Sequence, residues 1–288
     1  MKKLVSIILC AAFLLTLTSC VTVKVGDSTN YDKYDNSAKY TIGNFDYNAS
    51  GVKKIVINWV GGKIDLVESH ESVLSVSENA TTLTDGEKMR YFLDGDTLRI
   101  HYCESGHIGL IDGTQKHLTV SVPKNVDIKI NAVSSDVSAT ELNPESFDVN
   151  IVSGNVTIDS VSTNEFDVNS VSGGLSVGSL SADKVDAESV SGNIELKSVV
   201  ADKIKTYSVS GKVSATVSSA TSIDSETVSG NITLDFMGIG ASVIYKTVSG
   251  DLSCDGATVS GKSYVFGNGK VTVSAETVSG DLTVTYKD

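Results

Sequence analysis

Residues 152–170 read Val-Ser-Gly-Asn-Val-Thr-Ile-Asp-Ser-Val-Ser-Thr-Asn-Glu-Phe-Asp-Val-Asn-Ser, and the next residue starts the phrase again. Val-Ser-Ser or Val-Ser-Gly begins at Val133, Val152, Val171, Val190, Val209 and Val228, each 19 residues after the last. It returns at Val248 after 20 residues and at Val278 after 30 more. So short and regular a period means stacked identical units rather than a folded-back globule. Within the unit, Val156-Thr157-Ile158 and Phe166-Asp167-Val168 alternate apolar and polar, the strand signal. Gly154-Asn155 and Ser162-Thr163-Asn164 carry turn chemistry. Each unit is therefore two short strands and two turns.

The apolar columns persist along the chain. Four residues after the leading valine stand Val137, Val156, Leu175, Ile194, Val213, Ile232, Leu252 and Leu282. Fourteen after it stand Phe147, Phe166, Val185, Ile204 and Ile223. If every coil stacks on the previous one, ~4.8 Å away, the columns line one core and the coils join through parallel ladders. The fold expected is all-β, a parallel β-solenoid (β-helix) with ~19-residue coils. The phenylalanine column and the next leading valine differ by an odd number. Either a bulge corrects the parity or the valines face outward. Glycine at the third position, from Gly154 to Gly280, fits a corner where a side chain would strike the neighbouring coils. Ser135 fills that slot in what reads as the first coil, with one neighbour only.

The stretch before the repeats divides into three. Residues 1–19 read as a lipoprotein signal peptide: Lys2 and Lys3, then an apolar run from Leu4 to Leu17, too short to span a bilayer as a helix. The run ends in Leu17-Thr18-Ser19-Cys20, which resembles the lipobox of bacterial lipoproteins. That resemblance implies diacylglycerol on the Cys20 thiol and a chain anchored extracytoplasmically to a bacterial membrane. Residues 20–49 read as the attachment site and a polar tether. Residues 50–132 hold less regular strands around Ile55, Ile64, Val76, Ile100 and Val120, expected as first coils and cap, with the repeats over 133–288.

Charge and composition exclude some partners. The formal charge is −12, and losing Lys2 and Lys3 would take it to −14. The repeats contain neither arginine nor histidine. Nucleic acid and anionic polysaccharide suit such a surface poorly. Of the remaining cysteines, Cys103 and Cys254 are too distant in sequence to assign a disulfide, and Cys254 falls in an inward column.

Trp59-Val60-Gly61-Gly62-Lys63-Ile64-Asp65-Leu66, Leu118-Thr119-Val120-Ser121-Val122-Pro123, the serial Val-Ser-Gly-Asn or Val-Ser-Gly-Asp units and the closing Glu276-Thr277-Val278-Ser279-Gly280-Asp281-Leu282 appear in a characteristic order. Together they resemble the bacterial putative-adhesin family, domain of unknown function 4097, over roughly residues 50 to 288. The resemblance implies a β-solenoid distantly similar in shape to pectin lyases. It implies no catalytic residues and no cofactor.

Candidate sites are few. His70, His101, His107 and His117 all precede the repeats. His101, Cys103 and His107 offer N, S and N ligands to zinc or copper, though their spacing matches no closed-site signature. Asp148, Asp167, Asp186 and Asp224 form a column of carboxylates that Ca²⁺ could bridge, interrupted by Lys205. A solvated ladder is the simpler reading. Tyr207, Tyr245, Tyr264 and Phe266 are candidates for an aromatic glycan-binding face or for ordinary packing. The sequence points to a non-catalytic, lipid-anchored envelope protein that binds a protein or glycan. The alternatives are a carbohydrate-active enzyme and an envelope scaffold or sensor partner. Against the enzyme, the carboxylates follow the repeat, whereas active sites break regularity.

Overall fold

In the repeats, each 15-residue strand turns one corner and covers two walls of a coil. Val156–Ser170, Leu175–Ser189 and Ile194–Ser208 run parallel. Their register is the sequence period itself: Val156 faces Leu175, which faces Ile194, and Phe166 faces Val185, which faces Ile204. Both expected columns point inward and are buried, except Leu252 of the outermost coil, which is half-buried. A third buried column, Val161, Leu180 and Val199, fills the bend between the walls. The computed structural model describes residues 34–69, 73–80, 82–107, 116–254 and 256–287. Among them no helix is long and apolar enough to cross a membrane. The chain falls into two compact units, divided between Gly154 and Asn155. The boundary at 132/133 read from the periodicity lies inside one continuous strand, Asp127–Leu142.

The corner resolves the parity. The leading valines face outward, and the residue before each turns inward instead, except at the exposed Thr247 of the outermost coil. Ser189, Ser208, Thr227 and Thr277 are buried, and their side-chain oxygens accept from Gly192, Gly211, Gly230 and Gly280 N–H at 2.7–2.9 Å. Ser170 does the same for Gly173. A buried hydroxyl is thus satisfied, and so is a corner amide that no ladder reaches. The glycine beyond it has no room for a side chain. A Cβ on Gly192 would overlap the Gly173 carbonyl, one on Gly211 the Gly192 carbonyl, and one on Gly230 the Gly211 carbonyl. Close approach, not unusual φ, demands glycine at these corners.

Coil order departs from sequence order at the end of this unit. After Val213–Ser219 and Ser222–Thr227 the chain forms Ile232–Met237 and Ala241–Thr247. The next layer on Ser222–Thr227, however, is Val271–Thr277, and Ile232–Met237 is followed by Leu282–Lys287. Ala241–Thr247 and Leu252–Ser253 lie outside that layer. Each coil was expected to stack on the one before it; here the last coil is inserted beneath its predecessor. The 30-residue step accommodates this with a hairpin, Thr258–Ser260 against Ser263–Val265. Burial accounts for the order. Val271, Val273, Ala275, Leu282 and Val284 are all buried, so that coil completes the core on both sides. The coil left outside carries the exposed Ile244 and Val248.

The unit ending at Gly154 shows a similar interchange. Lys54–Glu68 pairs on one side with Asp127–Leu142 and on the other with Thr97–His101 and His117–Val122, all parallel. Asp127–Leu142 then carries Ser146–Ser153. The outer coil is closed by antiparallel strands. Arg90–Asp94 covers Thr97–His101 and bears Thr41–Ile42, while Val73–Asn79 covers His117–Val122 and bears Phe45–Asn48. The polar stretch expected as tether up to residue 49 is thus paired backbone from Thr41. Ser135 is not in an end coil as expected. It sits between Gly62, its register partner, and Gly154, and is almost fully buried. A serine is tolerated there because Gly62, with φ of 93°, supplies the missing space on one side.

Gly211→Ala is expected to destabilise the protein by at least about 2 kcal/mol in denaturant unfolding, since backbone rather than a flexible side chain must yield. Ser210→Ala, on the exposed position beside it, should change stability by under about 0.5 kcal/mol. Equal midpoints for the two variants would refute the close-approach account.

Candidate binding surface

Cys20 and His70 lie outside the described residues. The other predicted metal ligands are not brought together; among the described residues no three His, Cys, Asp or Glu side chains converge. His101 is buried against the N-terminal strands. Its ring stacks on Tyr34 at 4.0 Å between centroids and meets the edge of Tyr40 at 5.2 Å. Its Nε2 lies 3.4 Å from Asn58 Nδ2. Burial, with a smaller contribution from Arg99, pushes its pKa down to about 4. Cys103 is buried, its thiol 3.6 Å from the Glu104 carbonyl. The His107 amide donates to the Glu104 carbonyl, and its Nε2 is buried with no hydrogen-bond partner.

The aspartates find separate partners. Asp148 accepts from Lys129 Nζ and, at 2.6 Å, from Asn150. Asn169 donates to Asp167 at 2.6 Å. Register sets Lys129 before Asp148 and Lys205 between Asp186 and Asp224, while Asp167 faces Asp186 directly. The four aromatics make no common exposed face either. Tyr207 and Phe266 are buried, and the Tyr245 hydroxyl donates to the Gly280 carbonyl at 2.7 Å. Cys254 is half-buried beyond the end of its strand, not in an inward column as expected, because the wall stops at Ser253.

What does recur on the surface of the second unit is the corner between the two walls. Ser162, Thr163 and Asn164, then Ser181, Ala182 and Asp183, then Val200, Ala201 and Asp202, with Ser219, line an open trough of about 310 Å³. Thr163, Ala182 and Ala201 stand in register, so each coil contributes the same three positions. Asn164, Asp183 and Asp202 are exposed at its rim. Of these triplets the sequence shows Ser162-Thr163-Asn164 as a turn, because small polar residues suit tight corners. Only stacking makes a trough of them. Its rows run Ser162, Ser181 and Val200, then Thr163, Ala182 and Ala201, then Asn164, Asp183 and Asp202, so hydroxyls thin out along it while an amide or carboxylate stands on every coil, ~4.8 Å from the next.

Two polar groups in the first unit have no local signature in the sequence. Lys116 is fully buried and reaches Glu78 Oε1 at 2.6 Å, the Glu87 carbonyl at 2.7 Å and the Tyr102 carbonyl at 2.5 Å. Its ammonium sits over Tyr102, 3.9 Å from the ring centroid, and 5.1 Å from that of Trp59. A buried cation so completely paired ties the cap strands to the coil they close. Asp65 accepts from Ser138, from Lys63 at 3.0 Å and from His117 Nε2 at 2.5 Å. Burial raises its pKa, but the hydrogen bonds from Ser138, Lys63 and His117 outweigh that and hold it below the usual carboxylate range. The order is serine, aspartate, histidine. The imidazole is bonded to the carboxylate and not to the serine, so the serine is not activated as a nucleophile.

The family model described as Toastrack DUF4097 matches residues 52–285. No curated protein matches the chain. Several solved structures are similar. A putative adhesin from Bacteroides fragilis is 14% identical, with 85% of this chain and 97% of that one covered and a TM-score of 0.49. A putative adhesin from Parabacteroides merdae is 13% identical, with 86% and 96% covered and a TM-score of 0.45. Another from Parabacteroides distasonis is 13% identical, with 86% and 97% covered and a TM-score of 0.43.

His101 makes stability depend on pH in a defined window. Its ordinary pKa is 6.5 and its folded value is about 4, so the unfolded chain takes up the proton first as pH falls. The stability contributed by the neutral ring is complete above pH 6.5 and is lost as pH falls towards 4, on the order of 3 kcal/mol in all. His101→Phe retains a ring between Tyr34 and Tyr40 and should flatten the stability profile across that window. An unchanged profile in urea unfolding would contradict the assignment.

Proposed function

We propose that this chain, which belongs to the Toastrack DUF4097 family, is a non-catalytic binding protein of the bacterial cell envelope. In this reading Cys20 carries the lipid that anchors it, and the trough over residues 162–219 holds an extended, uncharged glycan strand. The trough carries the reading. It offers an amide or carboxylate on every coil, at Asn164, Asp183 and Asp202, with hydroxyls from Ser162, Thr163 and Ser181 beside them, which suits a polymer that presents the same hydroxyls residue after residue. Asp183 and Asp202 supply strong acceptors for those hydroxyls and repel anionic polysaccharides. A catalytic centre gathers unlike groups at one point, whereas these groups recur. The names of the similar solved proteins, putative adhesins, agree with a surface role. Affinity per coil is small, and engagement of several coils gives avidity.

The test is a polysaccharide panel presented to the purified chain, with membrane fractionation of the cells that make it. Binding to a neutral polymer is expected, weakened severalfold by Asp183→Lys and further by Asp183→Lys with Asp202→Lys, without release of new reducing ends. Cys20→Ala should leave the membrane fraction. Glycan turnover, or binding indifferent to both lysines, would overturn the reading of the trough; unaltered lipid labelling of Cys20→Ala would overturn the anchor.

A further inference from the structure

We propose that the outermost coil of the second unit, residues 241–253, is an interface on which a second copy of this chain pairs across a two-fold axis. The inner side of that coil is fully engaged. Ala241–Thr247 pairs with Val271–Thr277, and Leu252–Ser253 with Leu282 and Thr283. Its outer side is covered only at the start: Ser242 and Val243 meet Val265 and Tyr264 of the hairpin, and Ala241 exchanges hydrogen bonds with Phe266. From Ile244 to Ser253 no strand among the described residues pairs with the outer side. An edge of this kind is a template for another strand.

The side chains fit such a contact. Val248 is 83% exposed and Ile244 38%, and Val278 of the adjoining coil is 49% exposed. The outermost strands of the first unit contrast with this. Thr41–Ile42 and Phe45–Asn48 are only two and four residues long, which is how an edge meant to stay single is kept; in the open coil Leu252–Ser253 is as short, but Ala241–Thr247 runs for seven residues. The open coil contains no proline, and its corner, Val248-Ser249-Gly250-Asp251, has the same form as the interior corners.

Two features select a second copy in a two-fold arrangement. The outer coil of the first unit is sealed on both walls by antiparallel strands, so it offers no parallel edge for head-to-tail stacking. The open edge is also self-complementary in charge. Lys246 and Asp251 flank the corner, and both are exposed; within its own copy Lys246 also reaches Glu276 of the adjoining coil, and its side chain is still 65% exposed. A two-fold axis between Val248 and Ser249 sets each Lys246 against Asp251 of the other copy and brings the two valines together at the centre. The contact closes on itself and stops at two copies.

Sedimentation of the full chain in detergent tests this. The expected mass is two copies, dissociating on dilution. Ile244→Lys and Val248→Asp should each weaken association by about tenfold or more. Lys246→Asp should also weaken it, and adding Asp251→Lys should restore it, which a general loss of folding would not do. Circular dichroism shows that each variant is folded. A one-copy mass at every concentration would overturn the proposal; if the amides of residues 244–253 were then protected from exchange, a segment of the same chain would be the occupant. A two-copy mass indifferent to all four variants would overturn it as well, by placing the interface elsewhere.

Discussion

The structure depends on one close contact, between a corner glycine and the carbonyl of the glycine one coil away. At Gly192, Gly211, Gly230 and Gly280 a side chain would overlap that carbonyl. With the corner backbones so close, the walls on either side can pair in full ladders. The rest follows from that spacing. At these four corners the residue before the leading valine satisfies the glycine amide, so it is serine or threonine and turns inward. The valine turns outward in consequence. The columns then fall in register every 19 residues, and the polar triplets at the other corner line up as a trough.

Much of this was legible in the residues. The positions of Val156, Leu175 and Ile194, and of Phe166, Val185 and Ile204, announced both inward columns, because a fixed period in a stacked fold is also a register. The parity of the leading valines was not settled from alternation alone. Its signal was present in Ser170, Ser189, Ser208, Thr227 and Thr277, each immediately before the valine, a place where hydroxyls recur only if they face something that needs them. Coil order at the ends was not legible. The repeated phrase is the same in both coils; they differ at positions outside it, such as Ile244 against Ser274 and Tyr245 against Ala275. The phrase itself misleads once: Val259-Ser260-Gly261 repeats it, yet there it makes a hairpin, with Gly261 at φ 63°.

The candidate sites fared differently for a related reason. Periodicity exposes whatever recurs, so the aspartate column was visible, but the contacts of Asp148 with Lys129 and Asn150 depend on which side chains lie alongside. Lys116 had no signature, since its partner Glu78 and the rings of Trp59 and Tyr102 meet it only through the non-sequential order of the cap. His101, Cys103 and His107 looked related because they are near in sequence. The strand ends at His101, and the three side chains go to different surroundings.

The central claim is that coils contact only their neighbours, in a register fixed by the 19-residue corner spacing. Its most direct test compares two deletions by circular dichroism and denaturant unfolding. Removing residues 171–189 takes out one whole coil and brings Val190 to the place of Val171, and the shortened protein should fold with cooperative unfolding. Removing residues 171–180 takes out about half a coil and throws every later column out of register, so that protein should lose its cooperative transition. Equal damage from both deletions would contradict the account.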